Sequence, residues 1–263
     1  MKIVVCIKQV PDTTNIKVDP ETGTLKRETA GTVMNPFDMY AVEEGLRIKE
    51  KFPGSTVTVL TMGPPMAKEM LKVAIGMGAD EAVLLSDRLL AGSDTWATAY
   101  ALAMSCKKIG YDIILFGKQA VDGDTAQVGP QTAQYLNMPS ITWVKKIREI
   151  NDKELVAERM MEDGIDIIKS SLPVALTVVK EINEPRLESL KGKMRAKKYD
   201  PATWSLADIG GDPAMVGVKN SPTRVAKSWN AVREAGKAEM LTGEPAAIAD
   251  NLFNGLKGLG VLK

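Results

Sequence analysis

The run Ile113-Ile114-Leu115-Phe116 constrains the fold of this chain more than any other feature, because all four residues are apolar. A half-exposed strand alternates apolar and polar residues, whereas a strand covered on both faces needs no alternation. The run therefore predicts a central strand of a parallel sheet. Gly117 ends it, and the segment Tyr111–Gln131 continues into a helical pattern from Thr125 to Leu136, with Thr125 as its N-cap and Pro130 interrupting it.

Earlier parts of the chain repeat this pattern. Strands are predicted at Lys2–Ile7, Thr56–Thr61 and Glu81–Leu85, and each is followed by a helical segment. Such alternation predicts an α/β fold, a doubly wound parallel sheet with right-handed crossovers. A further apolar run, Pro173–Val179, is predicted to return to this sheet.

The alternation of strands and helices stops at Pro139, before the last of these strands. Strand-like runs at Ile141–Ile150, Leu155–Met161 and Ile165–Ser170 are joined by short turns, which predicts a β-hairpin excursion. A smaller hairpin is predicted near the N-terminus, pairing residues 17–19 with residues 24–26.

No strand is predicted after Ile182. Residues 200–221 have the composition of an extended arm, and a final helix is predicted to begin at Glu244-Pro245. We therefore predict a nucleotide-binding α/β domain at 1–182, and a region at 183–263 that carries a partner-recognition loop, a C-terminal arm and a terminal helix. An arm outside the sheet favours docking on another subunit, and a tail folded back on its own domain is an equal alternative.

The overall composition excludes several classes of protein. The chain has 263 residues, with 34 Lys and Arg against 33 Asp and Glu, so no strong net charge attracts nucleic acid or an anionic membrane. No apolar run reaches the roughly 18–20 residues of a transmembrane helix. Lys8 and Gln9 interrupt the apolar N-terminal run, so no signal peptide is indicated and we expect a cytoplasmic protein.

The chain contains no histidine, which removes Ser-His and Cys-His catalysis and the commonest metal ligand. Its two cysteines, Cys6 and Cys106, belong to no C-x-x-C motif, so neither a disulfide framework nor a zinc site is indicated. We predict no catalytic side chain and no metal, and expect any chemistry to come from a bound cofactor.

The loop after Phe116 is the first candidate site. A strand, a Gly-containing turn and a helix start place backbone N–H groups where a phosphate can bind, and ligands of open parallel sheets lie at the carboxyl ends of strands. An ordinary turn between a strand and a helix explains the same residues equally well. The loop matches neither the P-loop nor the G-x-G-x-x-G motif.

Several stretches together resemble one protein family. They are CIKQVPD, MNPFDMYAVEEGLRIKE, GADEAVLLSDR, GKQAVDGDTAQVGPQTAQYL and NEPRLESLKGKMRAKK. In this order and spacing, over nearly the whole chain, they resemble the β (small) subunit of electron-transfer flavoproteins. The resemblance implies a fold of the adenine-nucleotide α-hydrolase-like type. It also implies a heterodimer with an α subunit that carries a redox FAD, while the β subunit usually holds AMP.

The resemblance further implies which residues bind the nucleotide. Backbone groups at the ends of the first two strands would meet the adenine edge, and the loop would hold phosphate. The implied cofactor-binding residues are Cys6, Asn35, Pro36, Phe37, Asp38, Met62, Gln119, Ala120, Val121, Asp122, Gly123, Asp124, Thr125, Ala126, Gln127, Val128, Gly129 and Pro130.

The choice between AMP and FAD depends on a second helix start. Thr95 and Thr98 lie on one face of its first turn. Hydroxyls there usually cap the helix. The D-T-x-A-T pattern and residues 220–223 nevertheless resemble electron-bifurcating members, in which FAD replaces AMP. This implies NADH as the electron donor, ferredoxin or flavodoxin as one acceptor, and an acyl-CoA dehydrogenase reached through the α-subunit flavin.

A basic run follows the last predicted strand. The family's recognition loop, in which a leucine anchors on the partner dehydrogenase, corresponds to Leu190, Lys191, Lys193 and Arg195. An apolar anchor among cations fits a small binding hot spot. A solvated linker is the simpler explanation of the charges, and a nucleic-acid patch is disfavoured because no aromatic residue lies among them.

Two other functions compete with electron bifurcation. One is a conventional β subunit with structural AMP. The other is a stand-alone ATP-binding α/β protein, which would need neither the 183–198 loop nor the terminal arm. As a bifurcating or a conventional β subunit, the chain is an electron carrier, and it oxidises NADH only when it bifurcates.

Overall fold

A computed structural model describes residues 1–12, 31–226, 238 and 240–262. They belong to two compact units, Met1–Ser228 and Trp229–Lys263. The N-terminal hairpin predicted between residues 17 and 26 lies outside the described residues. None of the helices in the described ranges is long and apolar enough to cross a membrane.

The first unit alternates strands and helices. Its strands are Lys2–Cys6 (β1), Gln9–Pro11 (β2), Thr32–Met34 (β3), Thr56–Met62 (β4), Glu81–Leu85 (β5), Ile113–Gly117 (β6), Ser140–Ile150 (β7), Glu154–Met160 (β8), Ile165–Ser171 (β9), Val174–Val178 (β10) and Ala202–Trp204 (β11). Its helices are Pro36–Lys51 (α1), Lys68–Met77 (α2), Thr95–Ile109 (α3), Val128–Tyr135 (α4) and Leu190–Lys198 (α5).

Nine of these strands form one sheet in the order β11-β5-β4-β1-β6-β10-β7-β8-β9. The pairs from β11 to β7 are parallel, and β7, β8 and β9 form the antiparallel excursion. Strand β1 pairs with β4 on one side and β6 on the other, so the direction of winding reverses between β1 and β6. The predicted doubly wound α/β fold is confirmed, and its switch point is where such sheets bind ligands.

Strand β1 shows why the sheet is covered on both faces. Ile3 and Val5 pack with residues of α1 and α2, whereas Val4 and Cys6 pack with residues of α3 and α4. All four are buried. The absence of polar alternation in these strands therefore follows from helices that cover both faces of the sheet.

The predicted start of helix α4 at Thr125 is wrong by three residues, because the helix begins at Val128. Asp124 and Ala126 have φ angles of 54° and 55°, in the left-handed region that a helix cannot contain. Pro130 lies in the first turn of α4, where a backbone N–H has no partner inside the helix, so it does not interrupt the helix.

The prediction that the sheet ends before Ile182 is also wrong. Strand β11 pairs with β5 in parallel, and its three residues are too few to give a recognisable pattern. Leu206, Ile209 and Val216 are then buried together with residues of β5 and α3. Residues 200–221 are therefore folded onto their own domain, as the alternative interpretation had it, and the basic run before them forms helix α5.

The second unit contains helix α6, Pro245–Gly258, so the predicted start of a final helix at Glu244-Pro245 is confirmed. Leu252 and Phe253 are more than half exposed. Docking of this helix on another subunit stays a prediction.

Candidate functional site

Asn35 joins two segments of the chain at the carboxyl edge of the sheet. Its side-chain amide donates to the backbone carbonyl of Gln119 at 2.9 Å and accepts from the backbone N–H of Val121 at 3.1 Å. It also donates to Asp38 at 2.9 Å, and it is buried. The side chain immediately before helix α1 thus fixes the loop that follows β6.

Asp38 joins the ends of two strands at the same edge of the sheet. Its carboxylate accepts the backbone N–H of Lys8, which follows β1, at 2.7 Å, and a backbone hydrogen bond from Gly117 at the end of β6. A Cβ atom at position 117 would overlap Asp38, so glycine is required there. Burial raises the pKa of Asp38 to about 7, although hydrogen bonds from Asn35, Lys8 and Gly117 oppose this effect. Asp38 therefore positions both strand ends of the switch point.

The loop from Gln119 to Gln127 is held by its own charges. The ammonium of Lys8 lies 2.6 Å from a carboxylate oxygen of Asp122, whose side chain is almost fully covered. Gln119 donates to Asp124, and the backbone N–H of Asp124 bonds the carbonyl of Ala120 at 2.8 Å. The acidic residues of this loop are thus used to fix its shape.

The N-terminus of helix α4 is suited to an anion. Gln127 makes no side-chain cap, and the N–H groups of the first turn have no partners within the helix. The left-handed residue Ala126 precedes the right-handed Gln127, a sequence of conformations that forms anion-binding concavities. At Gly129 a Cβ atom would lie 2.7 Å from the Thr177 side chain, so only glycine lets the helix approach this closely.

Helix α3 differs, because its N-terminus is already capped. Asp94 accepts the backbone N–H of Ala97 at 3.0 Å, and both the backbone and the hydroxyl of Thr223, at 2.9 and 2.8 Å. The hydroxyl of Thr95 bonds the side chain of Gln127 at 2.9 Å and so connects this helix to the loop, and the half-buried Thr98 lies one turn later. A phosphate here would meet hydroxyl groups and would lie near a carboxylate.

Cys6 and Met62 end strands β1 and β4 at the same edge. Burial raises the pKa of the Cys6 thiol well above its usual value, and the neighbouring Cys106 thiol raises it further. The thiol faces α3 and stays protonated, which leaves the backbone of Cys6 at the strand end. Beside Met62, the buried hydroxyl of Thr61 has no hydrogen-bond partner among the described residues.

The structure thus brings together most of the predicted nucleotide residues and gives them different tasks. Asn35 and Asp38 are buried and act on the loop, whereas an anion site at the turn from Thr125 to Gly129 stays a prediction. Pro36 is exposed, and the ring of Phe37 lies beside the ammonium of Lys118. Sequence reasoning missed Lys8, whose only signal was its place directly after β1.

The predicted partner residues lie elsewhere, on helix α5. Leu190, with 79% of its surface exposed, lies near the exposed Lys191 and Lys193. Arg195 has a different task, because its guanidinium donates to the carbonyls of Ala79 and Asp80 after helix α2, at 2.7 and 2.6 Å.

An adenine nucleotide fits this arrangement. An open helix N-terminus for one phosphate and an unpartnered buried hydroxyl at Thr61 would offer hydrogen bonds to AMP. A second phosphate would depend on Thr95 and Thr98, since the Asp94 carboxylate already accepts the backbone N–H of Ala97 at the start of helix α3.

Comparison with known proteins points to one family. The family model described as "Electron transfer flavoprotein domain" matches residues 22–209. The caffeyl-CoA reductase-Etf complex subunit CarD of Acetobacterium woodii is 48% identical over 259 residues, which are 98% of each chain. The electron transfer flavoprotein subunit beta of Thermoanaerobacterium thermosaccharolyticum is 46% identical over 264 residues, the full length of both. Protein FixA of Azotobacter vinelandii is 43% identical over 248 residues, 92% of this chain and 88% of that protein.

Proposed function

The chain belongs to the electron transfer flavoprotein family as a β subunit, and from this membership we propose that it binds FAD at the switch point between β1 and β6. The observation that carries the proposal is the bond between Thr95 and Gln127. It puts the start of helix α3 next to the open start of helix α4, so two phosphates could bind side by side. AMP would need only the α4 site.

The bound FAD would supply the exchange of electrons. The protein's own contribution is to hold the nucleotide. Asn35 and Asp38 fix the loop, and the first turn of α4 and the hydroxyls of Thr95 and Thr98 bind the diphosphate. Cys6 and Met62 would present backbone groups to the adenine ring.

The proposal extends to partners. We infer a heterodimer with an α subunit, oxidation of NADH at this subunit, and bifurcation of the two electrons. One electron would pass to a low-potential carrier such as ferredoxin or flavodoxin, and the other through the α-subunit flavin to an acyl-CoA dehydrogenase. The relative in Acetobacterium woodii carries the name of a caffeyl-CoA reductase-Etf complex, which favours an acyl-CoA-linked partner.

Helix α5 is the proposed docking surface for that dehydrogenase. Leu187 and Leu190 are 90% and 79% exposed, and Met194, one turn further along, is also exposed. Lys191 and Lys193 surround them. Apolar anchors flanked by cations fit an apolar pocket with an acidic rim.

A conventional β subunit with structural AMP is the second candidate. It is favoured by Asp94, whose carboxylate caps helix α3 where the additional phosphate of FAD would bind. The negative charge of Asp94 at the start of helix α3 would weaken the binding of a diphosphate and leave the binding of AMP unaffected.

The nucleotide content of the purified heterodimer separates these candidates. Denaturing extraction and chromatography should give two FAD and no AMP per heterodimer. One FAD and one AMP per heterodimer would refute the proposal. Thr95 and Thr98 would then be residues of a helix cap with no part in cofactor binding.

A double variant then tests the site. Thr95→Val with Thr98→Val should lower the FAD content to about one per heterodimer, because the hydroxyls no longer bind the diphosphate. Ser105→Ala is the matched control, since the Ser105 hydroxyl is buried in the same helix and bonds only the carbonyl of Ala101. Unchanged FAD in the double variant would refute the diphosphate assignment.

A further inference from the structure

Helix α5 packs against helix α2 with almost no space between the two backbones, and two glycines make this approach possible. A Cβ atom at position 192 in α5 would overlap the backbone carbonyl of Gly76 in α2. A Cβ atom at position 76 would in turn overlap the side chain of Glu188, which directly precedes the N-cap of α5. Any larger residue at position 192 would therefore push α5 away from α2.

The helical repeat places the apolar side chains of α5 on the side that faces away from α2. At about 100° per residue, Gly192 and Ala196 share one face of the helix, and Leu190 and Met194 lie nearly opposite. Ala196 is buried in the same apolar cluster as residues of α2. Leu190 and Met194 are 79% and 61% exposed. The contact with α2 thus fixes the direction in which the exposed apolar side chains point.

Hydrogen bonds hold both ends of α5 in place. At its start, the hydroxyl of Ser189 accepts the backbone N–H of Gly192 at 2.9 Å and caps the helix. Near its end, the guanidinium of Arg195 donates to the two carbonyls that follow α2. The hydroxyl of Tyr199, directly after α5, accepts the backbone N–H of Ala82 at 3.0 Å. The segment is therefore attached along its whole length.

The glycine at position 192 is explained by this packing and not by helix propensity. Glycine inside a helix lowers its intrinsic stability relative to alanine. Helix α5 has only nine residues, and isolated helices shorter than about 12–15 residues are marginal in water. The order of α5 therefore depends on its attachment to α2, which only glycine at this position permits.

We propose that Gly192 is a positioning residue of the docking surface on α5. Its contact with Gly76 holds the helix against α2, so that Leu190 and Met194 have one fixed orientation before the dehydrogenase binds. The inference rests on the proposed function, which assigns the docking surface to α5. A preformed surface avoids the entropic cost of ordering the segment on binding, so Gly192 raises the affinity without contacting the partner.

The kinetic test uses the purified heterodimer as the varied substrate of a short-chain acyl-CoA dehydrogenase. Gly192→Ala should raise the KM for the heterodimer about tenfold, because the displaced helix must be ordered at each encounter. The kcat and the flavin content should not change, since α5 is not part of the candidate nucleotide site. Gly164→Ala is the matched control, because a Cβ atom there meets nothing within 4 Å, and its KM should equal that of the unmodified protein.

A double variant separates positioning from a general loss of structure. If Gly192 acts through Leu190, Gly192→Ala should raise the KM less in the Leu190→Ala background than in the unmodified protein. Independent structural effects would add. Arg195→Met weakens the same attachment without a steric overlap and should also raise the KM, so the test holds even where Gly192→Ala does not fold.

Trypsin gives a readout that needs no dehydrogenase. Cleavage after Lys191 and Lys193 requires local unfolding of α5, so it should be slow in the unmodified heterodimer and about tenfold faster in Gly192→Ala. The Gly164→Ala control should be cleaved in α5 at the unmodified rate.

An unchanged KM in Gly192→Ala and Arg195→Met, with a raised KM in Leu190→Ala, would overturn the positioning role alone. Additive effects in the double variant would do the same. An unchanged KM in Leu190→Ala would instead refute the docking surface of the proposed function, and this inference with it, so that variant is measured first.

Discussion

Asp38 in helix α1 accepts the backbone N–H of Lys8 at 2.7 Å, and so ties that helix to the end of strand β1. Asp38→Asn replaces one accepting oxygen by a donating amide, which leaves one of its backbone or side-chain donors unpaired. We expect the free energy of unfolding to fall by about 1–3 kcal/mol. Nucleotide content should fall as well, because the loop after β6 is no longer fixed.

The matched control is Asp112→Asn. The Asp112 carboxylate also accepts a backbone N–H of β1, that of Lys2 at 2.7 Å, but at the amino edge of the sheet. Thermal unfolding of this variant should show a smaller loss, because the bond is exposed and the asparagine oxygen still accepts it, and nucleotide content should be unchanged. If both variants lost nucleotide equally, Asp38 would have no specific role in positioning the site.

The pKa of Asp38 makes the stability of the fold depend on pH. Burial raises this pKa to about 7, so the native state keeps a proton that the unfolded chain releases near pH 4. Stability should therefore decrease as the pH rises from about 4 to about 7, by at most about 4 kcal/mol from this group. The Lys8 ammonium and the Cys6 thiol face Asp38, and burial raises the pKa of that thiol further above this range.

Chemical denaturation from pH 4 to pH 8 measures this effect. Other carboxylates, such as Glu43 and Asp94, have lowered pKa values and contribute in the opposite direction. The difference between the unmodified protein and Asp38→Asn isolates the Asp38 contribution, and this difference should shrink as the pH rises to 7. A constant difference would show that Asp38 is ionised throughout.

Two residues of helix α5 should respond differently to substitution. Leu190→Ala removes an exposed side chain, so stability and flavin content should stay the same while electron delivery to the dehydrogenase slows by tenfold or more. Arg195→Met removes the donors to the carbonyls of Ala79 and Asp80, and should lower the free energy of unfolding by about 1–3 kcal/mol. Stopped-flow kinetics and thermal unfolding measure the two effects.

Leu89, an exposed leucine after strand β5, is the control for Leu190. Leu89→Ala should leave electron delivery unchanged. A loss of flavin from Leu190→Ala would indicate a structural role and contradict the docking assignment.

Arg186 forms the least exposed ion pair of the described chain. It donates to Glu43, whose side chain is only 4% exposed, at 2.7 Å, and to Glu50 as well. Burial raises the pKa of Glu43, but hydrogen bonds from Arg186 and Arg47 outweigh this and lower it. Arg186→Met should therefore lower the free energy of unfolding by about 2–3 kcal/mol.

A surface pair offers the comparison for Arg186. Lys68 bonds Asp200, whose side chain is 85% exposed, and Lys68→Met should leave the free energy of unfolding nearly unchanged. Equal losses in the two variants would mean that burial of the Glu43 carboxylate contributes nothing.

The sheet could be predicted from the sequence because its strands are buried on both faces. Short runs such as Ile113–Gly117, bounded by glycine and rich in β-branched residues, favour buried strands, and the predicted helices follow them. Strand β11 could not be predicted, since three residues carry no periodicity and the strand depends on pairing with β5, more than a hundred residues earlier. Helix α5 was obscured by its charges, which resemble a solvated linker.

The candidate site likewise contains residues that could be proposed from the sequence and contacts that could not. Asn35, Asp38 and the loop from Gln119 to Pro130 could be proposed from the family resemblance, which preserves their order. The contacts of Lys8 with Asp122 and of Lys118 with Trp143 could not, because each joins residues that are distant in the chain and depend on the register of the sheet. No local pattern predicts the left-handed backbone of Trp143.

Helix α1 carries both Asp38, which positions the loop of the candidate site, and Glu43, which binds Arg186. Glu43 lies about 7–8 Å from Asp38 along the helix axis. The segment that leads to the proposed docking helix is therefore attached to the same helix that positions the proposed cofactor loop. The rate of electron tunnelling falls steeply with separation, so a carrier needs a spacing that thermal motion does not alter. If the two proposed sites are occupied, helix α1 sets the distance between the cofactor and the surface on which the redox partner would dock.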